Sequence, residues 1–396
     1  MERACDARRR RTDAPSSDVG LPALLLLALA TVFSTACAGR FIGVQPPARI
    51  GPSGSSVPGV GLVAGAPIVV TASTRQVPAG PDGRPLTPVG SSNATVLLRS
   101  GSQFSGGPVS YELWDPTTGA LATVPGWTGD DAVKDRVLGV FEDWAVVTRD
   151  QPSLAGSVSV ELRNVRSGES HQIGTSGDSS TQGRVVAANG WVAWTDSSQN
   201  HSGVWLYEIA GGKNTIVPAM VKRISSLAVA NGVVAWWQGQ SFNSSQPPRI
   251  VVRDIASNDF QFVAASEVRA LVLSSDGQTL VWLQDAGTGG PGIYVHDLKA
   301  GSGGRLLGGQ SIGVSLSVSG DYLSWQPGSG SGASTAGLYN VKTHELRFVQ
   351  SAPGASTTLS RVMGQWFLWS DFARQPSGAS GASPLAGCCY ILRLPN

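Results

Sequence analysis

The chain has 396 residues, of which 14% are charged and 41% hydrophobic, with 50 Gly, 24 Pro, 12 Trp and a formal net charge of +2. That hydrophobic and Trp content excludes a disordered chain, and the near-neutral balance offers no basic field to gather nucleic acid. Many Gly and Pro with few charges suit short strands joined by tight turns, an all-β class.

At the N-terminus, Arg8 to Arg11 form a basic run and Leu21 to Ala36 an apolar stretch of 16 residues. A membrane-spanning helix needs about 20 residues, so residues 1–36 read as an export signal peptide. The string Ser34-Thr35-Ala36-Cys37-Ala38-Gly39 is similar to the bacterial lipobox, whose cysteine thiol receives a diacylglycerol. Cys37 is therefore the expected lipid attachment site. Lipoboxes favour Leu where Ser34 stands, and plain signal-peptidase cleavage with secretion is the alternative. The expected location is the outer side of the cytoplasmic membrane or the periplasm. Residues 37–64, rich in Gly, Pro, Ser and Val, read as a flexible tether reaching roughly 30 Å.

Residues 65–396 carry a repeat. Segments 137–148, 185–195, 227–237, 271–283, 314–326 and 359–370 each read as an apolar strand, a tight turn and a second apolar strand. Aligned, they place Val147, Trp194, Trp236, Trp282, Trp325 and Trp369 at one position, 42 to 47 residues apart. That is the length of a four-stranded propeller blade. A third strand follows each time, as in Ile250 to Ile255 or Ile293 to Leu298, and then a turn and a short fourth strand. A weaker copy runs from Pro85 to Val124, giving seven units. The last unit stops at its third strand, Tyr390 to Leu394, while Pro67 to Ser73 forms an orphan strand upstream of the first. Docking the orphan into the last blade closes a ring and removes an open sheet edge. The expected fold is thus one all-β propeller of seven antiparallel blades, with six blades and an irregular leader as the alternative.

One blade carries a family resemblance. Ser274-Ser275-Asp276-Gly277 before the strand Gln278 to Trp282, and then Ile293-Tyr294-Val295-His296-Asp297-Leu298, resemble the TolB-type propeller repeats of the bacterial envelope. The resemblance implies an exported propeller that contacts other envelope proteins. Only this blade has the turn motif closely; the other units share the period.

The in-phase Trp residues are expected to wedge between blades, with Trp127, placed in a connection, the most accessible. Hairpins between the first and second strands are short, whereas connections between the second and third, such as 238–248 and 371–387, are long. Loops on a rigid scaffold carry binding, so the candidate ligand face is the ring of polar residues entering them. These are Arg149, Asp150, Asp196, Gln238, Gln284, Asp285 and Asp371. The bland reading is that they bond loop amides.

The string Gly309-Gln310-Ser311-Ile312-Gly313 matches a nucleophile elbow but joins two strands, where that motif needs a strand and then a helix. The four His residues fall at unrelated blade positions, and Cys388 and Cys389, being adjacent in a strand, point to opposite faces. No catalytic residue, metal or cofactor is expected. The expected function is a monomeric, envelope-anchored binding or scaffolding module with a protein partner or polar ligand. The alternatives are a glycosidase- or lyase-type propeller acting through carboxylates such as Asp196, Asp285 and Asp371, and a sensor of small ligands.

Overall fold

The computed structural model describes residues 62–395 apart from 70, 72, 84, 93, 102–108, 129–133, 152–156, 177–184, 197–202, 219–223, 240–246, 286–289, 309–311, 328–335, 351–354 and 374–387. The signal segment, Cys37 and nearly all of the tether lie outside these residues. Two short strands, β1 (Val63–Ala64) and β2 (Arg75–Gln76), come first. Blade one is β3 (Leu86–Ser91), β4 (Val96–Ser100), β5 (Ser110–Trp114) and β6 (Leu121–Thr128). Blade two is β7 (Asp135–Phe141), β8 (Trp144–Asp150), β9 (Val158–Asn164) and β10 (Ser170–Ser176). Blade three is β11 (Val185–Ala188), β12 (Trp191–Asp196), β13 (Gly203–Glu208) and β14 (Lys213–Pro218). Blade four is β15 (Ile224–Ala230), β16 (Val233–Gln238), β17 (Arg249–Asp254) and β18 (Phe260–Ala264). Blade five is β19 (Val268–Leu273), β20 (Thr279–Gln284), β21 (Gly292–Asp297) and β22 (Ser302–Gly308). Blade six is β23 (Ile312–Ser319), β24 (Tyr322–Pro327), β25 (Gly337–Asn340) and β26 (Glu345–Phe348). Blade seven is β27 (Ala355–Met363), β28 (Trp366–Ala373) and β29 (Cys388–Arg393).

Each blade is an antiparallel meander of strands a to d, and seven separate sheets result. The turns explain the meander. Asn189-Gly190 and Asn231-Gly232 both have positive φ, the type I′ geometry whose twist matches that of paired strands. At the outer turns, Asp115, Asn164, Asp254, Asp297 and Asn340 end strand c, and each Oδ1 accepts the amides two and three residues on. These turns satisfy their own backbone groups without help from the rest of the fold.

The core is a ring of clusters between neighbouring blades. Seven apolar clusters join successive pairs, the last uniting Leu86, Val96 and Leu98 of blade one with Met363, Leu368 and Ile391 of blade seven. Trp194, Trp236, Trp282, Trp325 and Trp369 are all buried, and each packs into the cluster shared with the preceding blade. Gly174 of blade two faces Trp194, and a Cβ there would strike the indole. Blade two has only Val147 at the Trp position, and the cluster between blades one and two is filled by Trp127 from β6. Trp127 is completely buried, not accessible as its place in the sequence suggested. It supplies from the neighbouring blade the bulk that Val147 lacks.

The N-terminal segment closes the last blade as expected, but with other residues. β2 pairs antiparallel with β29, Arg75 opposite Ile391 and Gln76 opposite Tyr390, and the Val77 amide bonds the Cys389 carbonyl. The apolar segment upstream instead joins blade six: β1 runs parallel to β26, and Ile68 bridges to Val349. A turn at Thr71 to Thr74 moves the chain from one blade to the next. Ile68 is 1% exposed in the cluster between blades six and seven, so its hydrophobicity marks an anchor and not a ladder strand. Cys388 and Cys389 are successive residues of β29, and Cys389 packs half-buried on the cluster between blades seven and one.

Candidate functional site

The b–c and d–a connections share one face of the disc, and the a–b and c–d turns share the other. On the tight face, a single two-residue turn joins β7 to β8 or β15 to β16, while residues 374–387 separate β28 from β29 on the open face. The seven candidate residues fall on the open face, at or beside the ends of the b strands of blades two, three, four, five and seven.

Their local roles differ. Arg149 makes a two-pronged ion pair with Asp135 of β7, Nε to Oδ1 at 2.7 Å and Nη2 to Oδ2 at 3.1 Å. The Asp135 side chain is fully buried, and its Oδ2 also accepts the Trp127 indole N–H at 2.7 Å. Tyr111 stacks on Trp127 at 3.9 Å and donates its hydroxyl to the Asp135 carbonyl. Burial pushes the Tyr111 phenol up to about 12, against the opposing pull of Arg99. Asp135 therefore joins blades one and two, with Arg149 of its own blade as the counter-ion.

Gln284 is also buried: its Oε1 accepts the Ser266 amide at 3.1 Å and its Nε2 donates to the Gly290 carbonyl at 3.4 Å. Asp285 pairs with Arg269 across the a–b edge of blade five at 2.6 Å. Asp150 is exposed at the end of β8, and Asp196 and Gln238 are half-buried at the ends of β12 and β16. Asp371 stands opposite Cys388 in the β28–β29 ladder. Arg149, Gln284 and Asp285 thus engage their own blade or the adjoining connection. Among the described residues no three His, Cys, Asp or Glu gather as a metal site.

The central channel, which the small-ligand alternative requires as its pocket, is lined by residues that the sequence did not mark. It is a cavity of about 850 Å³ lined by the a strands of all seven blades. Pairing with the b strands puts Gly90, Gly139, Val186, Ala228, Val272, Ser317 and Arg361 at one level around it. Six are small or apolar and the seventh is Arg361. Arg136, two blades away across blade one, lines the same cavity nearer the open face. The legible signal was a charged residue in a repeat position that is uncharged in the other six copies.

No family model matches the sequence, and no curated protein matches it. Solved structures resemble it in fold. The propeller domain of the Trilobed protease from Pyrococcus furiosus, described as having an open velcro topology, superposes with a TM-score of 0.49 at 7% identity over 72% of this chain and 88% of that one. TolB from Acinetobacter baumannii gives 0.39 at 13% identity, covering 75% and 79%. The acylaminoacyl peptidase of Pyrococcus horikoshii gives 0.47 at 9% identity, covering 74% of this chain and 50% of that one. The protein is a seven-bladed β-propeller, on the strength of its own strand order and inter-blade core.

Proposed function

We propose that the protein is an exported binding or scaffolding module, anchored to the cell envelope through a lipid on Cys37, that engages a protein partner or polar ligand with its b–c loop face. The observation that supports this reading is the inequality of the two faces. One is trimmed to short, self-capped turns, and the other carries the longest connections on a scaffold fixed by seven inter-blade clusters. Rigid frame and elaborated loops are the division of labour of binding proteins. The exposed Asp150 and the half-buried Asp196 and Gln238 at the loop bases are the residues this reading assigns to contact. Asp285, ion-paired with Arg269, is a weaker choice for contact or for acid–base work.

The test is co-purification of the full chain from membranes. A partner recovered with the native chain and lost when segments 240–246 and 374–387 are shortened supports the reading; one retained after trimming counts against it. Fatty-acid labelling that persists in Cys37→Ser would remove the anchor from the proposal.

A further inference from the structure

The channel arginines need an account that the loop face does not supply. Arg361 sits deep in the disc and meets solvent only through the channel, and Arg136 is exposed on the channel wall. Among the described residues, neither has a carboxylate or hydrogen-bond partner. Burial, and then the positive charge of Arg136, shifts Arg361 below the usual arginine value. A guanidinium nevertheless stays charged in proteins, so the channel wall carries two like charges with no counter-ion beside them among the described residues. Two like charges facing one narrow channel repel each other, and nothing in the repeat requires them, since six blades place Gly, Val, Ala or Ser where half-buried Arg361 stands.

The surroundings narrow what would neutralise them. Glu142, the acidic residue on the wall, belongs to the a–b hairpin of blade two at the tight face. It is six residues along the strand from Arg136, about 20 Å at the usual strand rise, too far for a direct pair. Beyond the level of Arg361 the next ring is Val140, Ala187, Val229, Leu273, Val318 and Val362 with Ser91. Val140, Val229, Leu273 and Val362 are buried in the inter-blade clusters, and each a strand is the edge of its sheet, so the wall mixes backbone polar groups with apolar side chains. Small-molecule sites are concave, mostly apolar, and carry a few placed polar groups in volumes of about 300–1,000 Å³. The cavity lies within that volume range at about 850 Å³ and carries two guanidinium groups on a wall of mixed polarity.

We propose that the central channel binds a small organic oxyanion, a carboxylate or phosphate on a short organic body. It enters from the open face, its charged head is held by Arg361 and Arg136, and its body extends along the channel past Arg361. A planar guanidinium takes either head group through paired N–H donors, and an anion between the two offsets their mutual repulsion. The site is separate from the loop face, so each can fail without the other.

The experiment uses the full chain with hexanoate, hexyl phosphate and neutral hexanamide, read by calorimetry and melting temperature. At least one anion is expected to bind and raise the melting temperature, and the stronger of the two identifies the head group. Hexanamide is expected not to bind. Arg361→Met and Arg136→Gln should each weaken the anion at least tenfold. Without ligand, Arg361→Met should melt no lower than the native chain, because it removes an unpaired charge. No anion binding at millimolar concentration, equal binding of hexanamide, or unchanged binding in both variants overturns the proposal. A lowered melting point of unliganded Arg361→Met also overturns it, by making the arginine structural. Exposed Arg136→Gln tests the second anion contact independently of any role of Arg361 in stability.

Discussion

Asp135 shows how one residue can join two blades. Its carboxylate is fully buried and meets Arg149 from its own blade and the Trp127 indole from the preceding one. Removing it takes the two-pronged carboxylate from Arg149 and the acceptor from the indole N–H. Breaking a buried pair from one side costs about 3–5 kcal/mol, so Asp135→Ala should lose about that much in urea or guanidinium unfolding. A loss below about 1 kcal/mol would show that water takes over both partners. Arg149 drew attention in the sequence as a polar residue at a loop entrance, and that much was legible. Asp135 was not, because its value depends on Trp127 arriving from another blade. The clue lay in what was missing: Val147 breaks a series of tryptophans, and a nearby tryptophan outside the series had to fill the space.

At the scale of the element, the hairpins and outer turns were the most legible part of the fold. Asn-Gly pairs fix the turn, and the Asx residue ending strand c binds the next two free amides. Both effects are local, so a linear reading captures them. Asp115 makes one of these turns and Asp276 another. Asp115 is held below the usual 3.8 chiefly by the Thr118 hydroxyl and then by the Thr117 amide. At Asp276 burial pushes upward, but bonds from the Ser274 hydroxyl and the Gln278 amide outweigh it, leaving the group below 3.8 as well. The unfolded chain binds more protons than the folded one between the lowered values and 3.8. Stability from these turns is therefore complete above 3.8 and is lost as pH falls through the folded-state values. Asn164 and Asn340 hold the equivalent turns of blades two and six, so Asp115→Asn keeps the geometry and removes the titration. Urea unfolding at pH 6 and pH 3 should show a smaller acid loss for Asp115→Asn than for the native chain. Equal losses would mean that the Asp115 turn is not what acid weakens.

For the whole molecule, the period and the seven-blade count were readable because Trp recurs in phase on strand b, where each blade must pack on its predecessor. That the N-terminal segment closes the ring was readable too, since an unfinished last blade and an orphan strand complement each other. The residues that do it were not. Hydropathy selected the apolar run 67–73, but the ladder goes to Arg75 and Gln76, with Val77 beneath them, while Ile68 is spent on packing. A backbone ladder makes no demand for apolar side chains at an outer edge, whereas a cluster between blades does. The closure is thus two separable contributions, a buried anchor and an edge cover, and they predict different failures. Ile68→Ala keeps the cover and removes the anchor, so it should lose about 2–5 kcal/mol and stay soluble. A chain beginning at Pro78 loses both, leaving β29 as an unpaired edge in a ring that no longer closes. It should melt lower than a chain beginning at Leu62 and should also scatter light increasingly with concentration, because open edges pair with one another. If the shortened chain stays monomeric and melts at the same temperature, β2 does not close this ring, and the packing of blade seven on blade one through Leu86, Leu98, Met363 and Leu368 suffices.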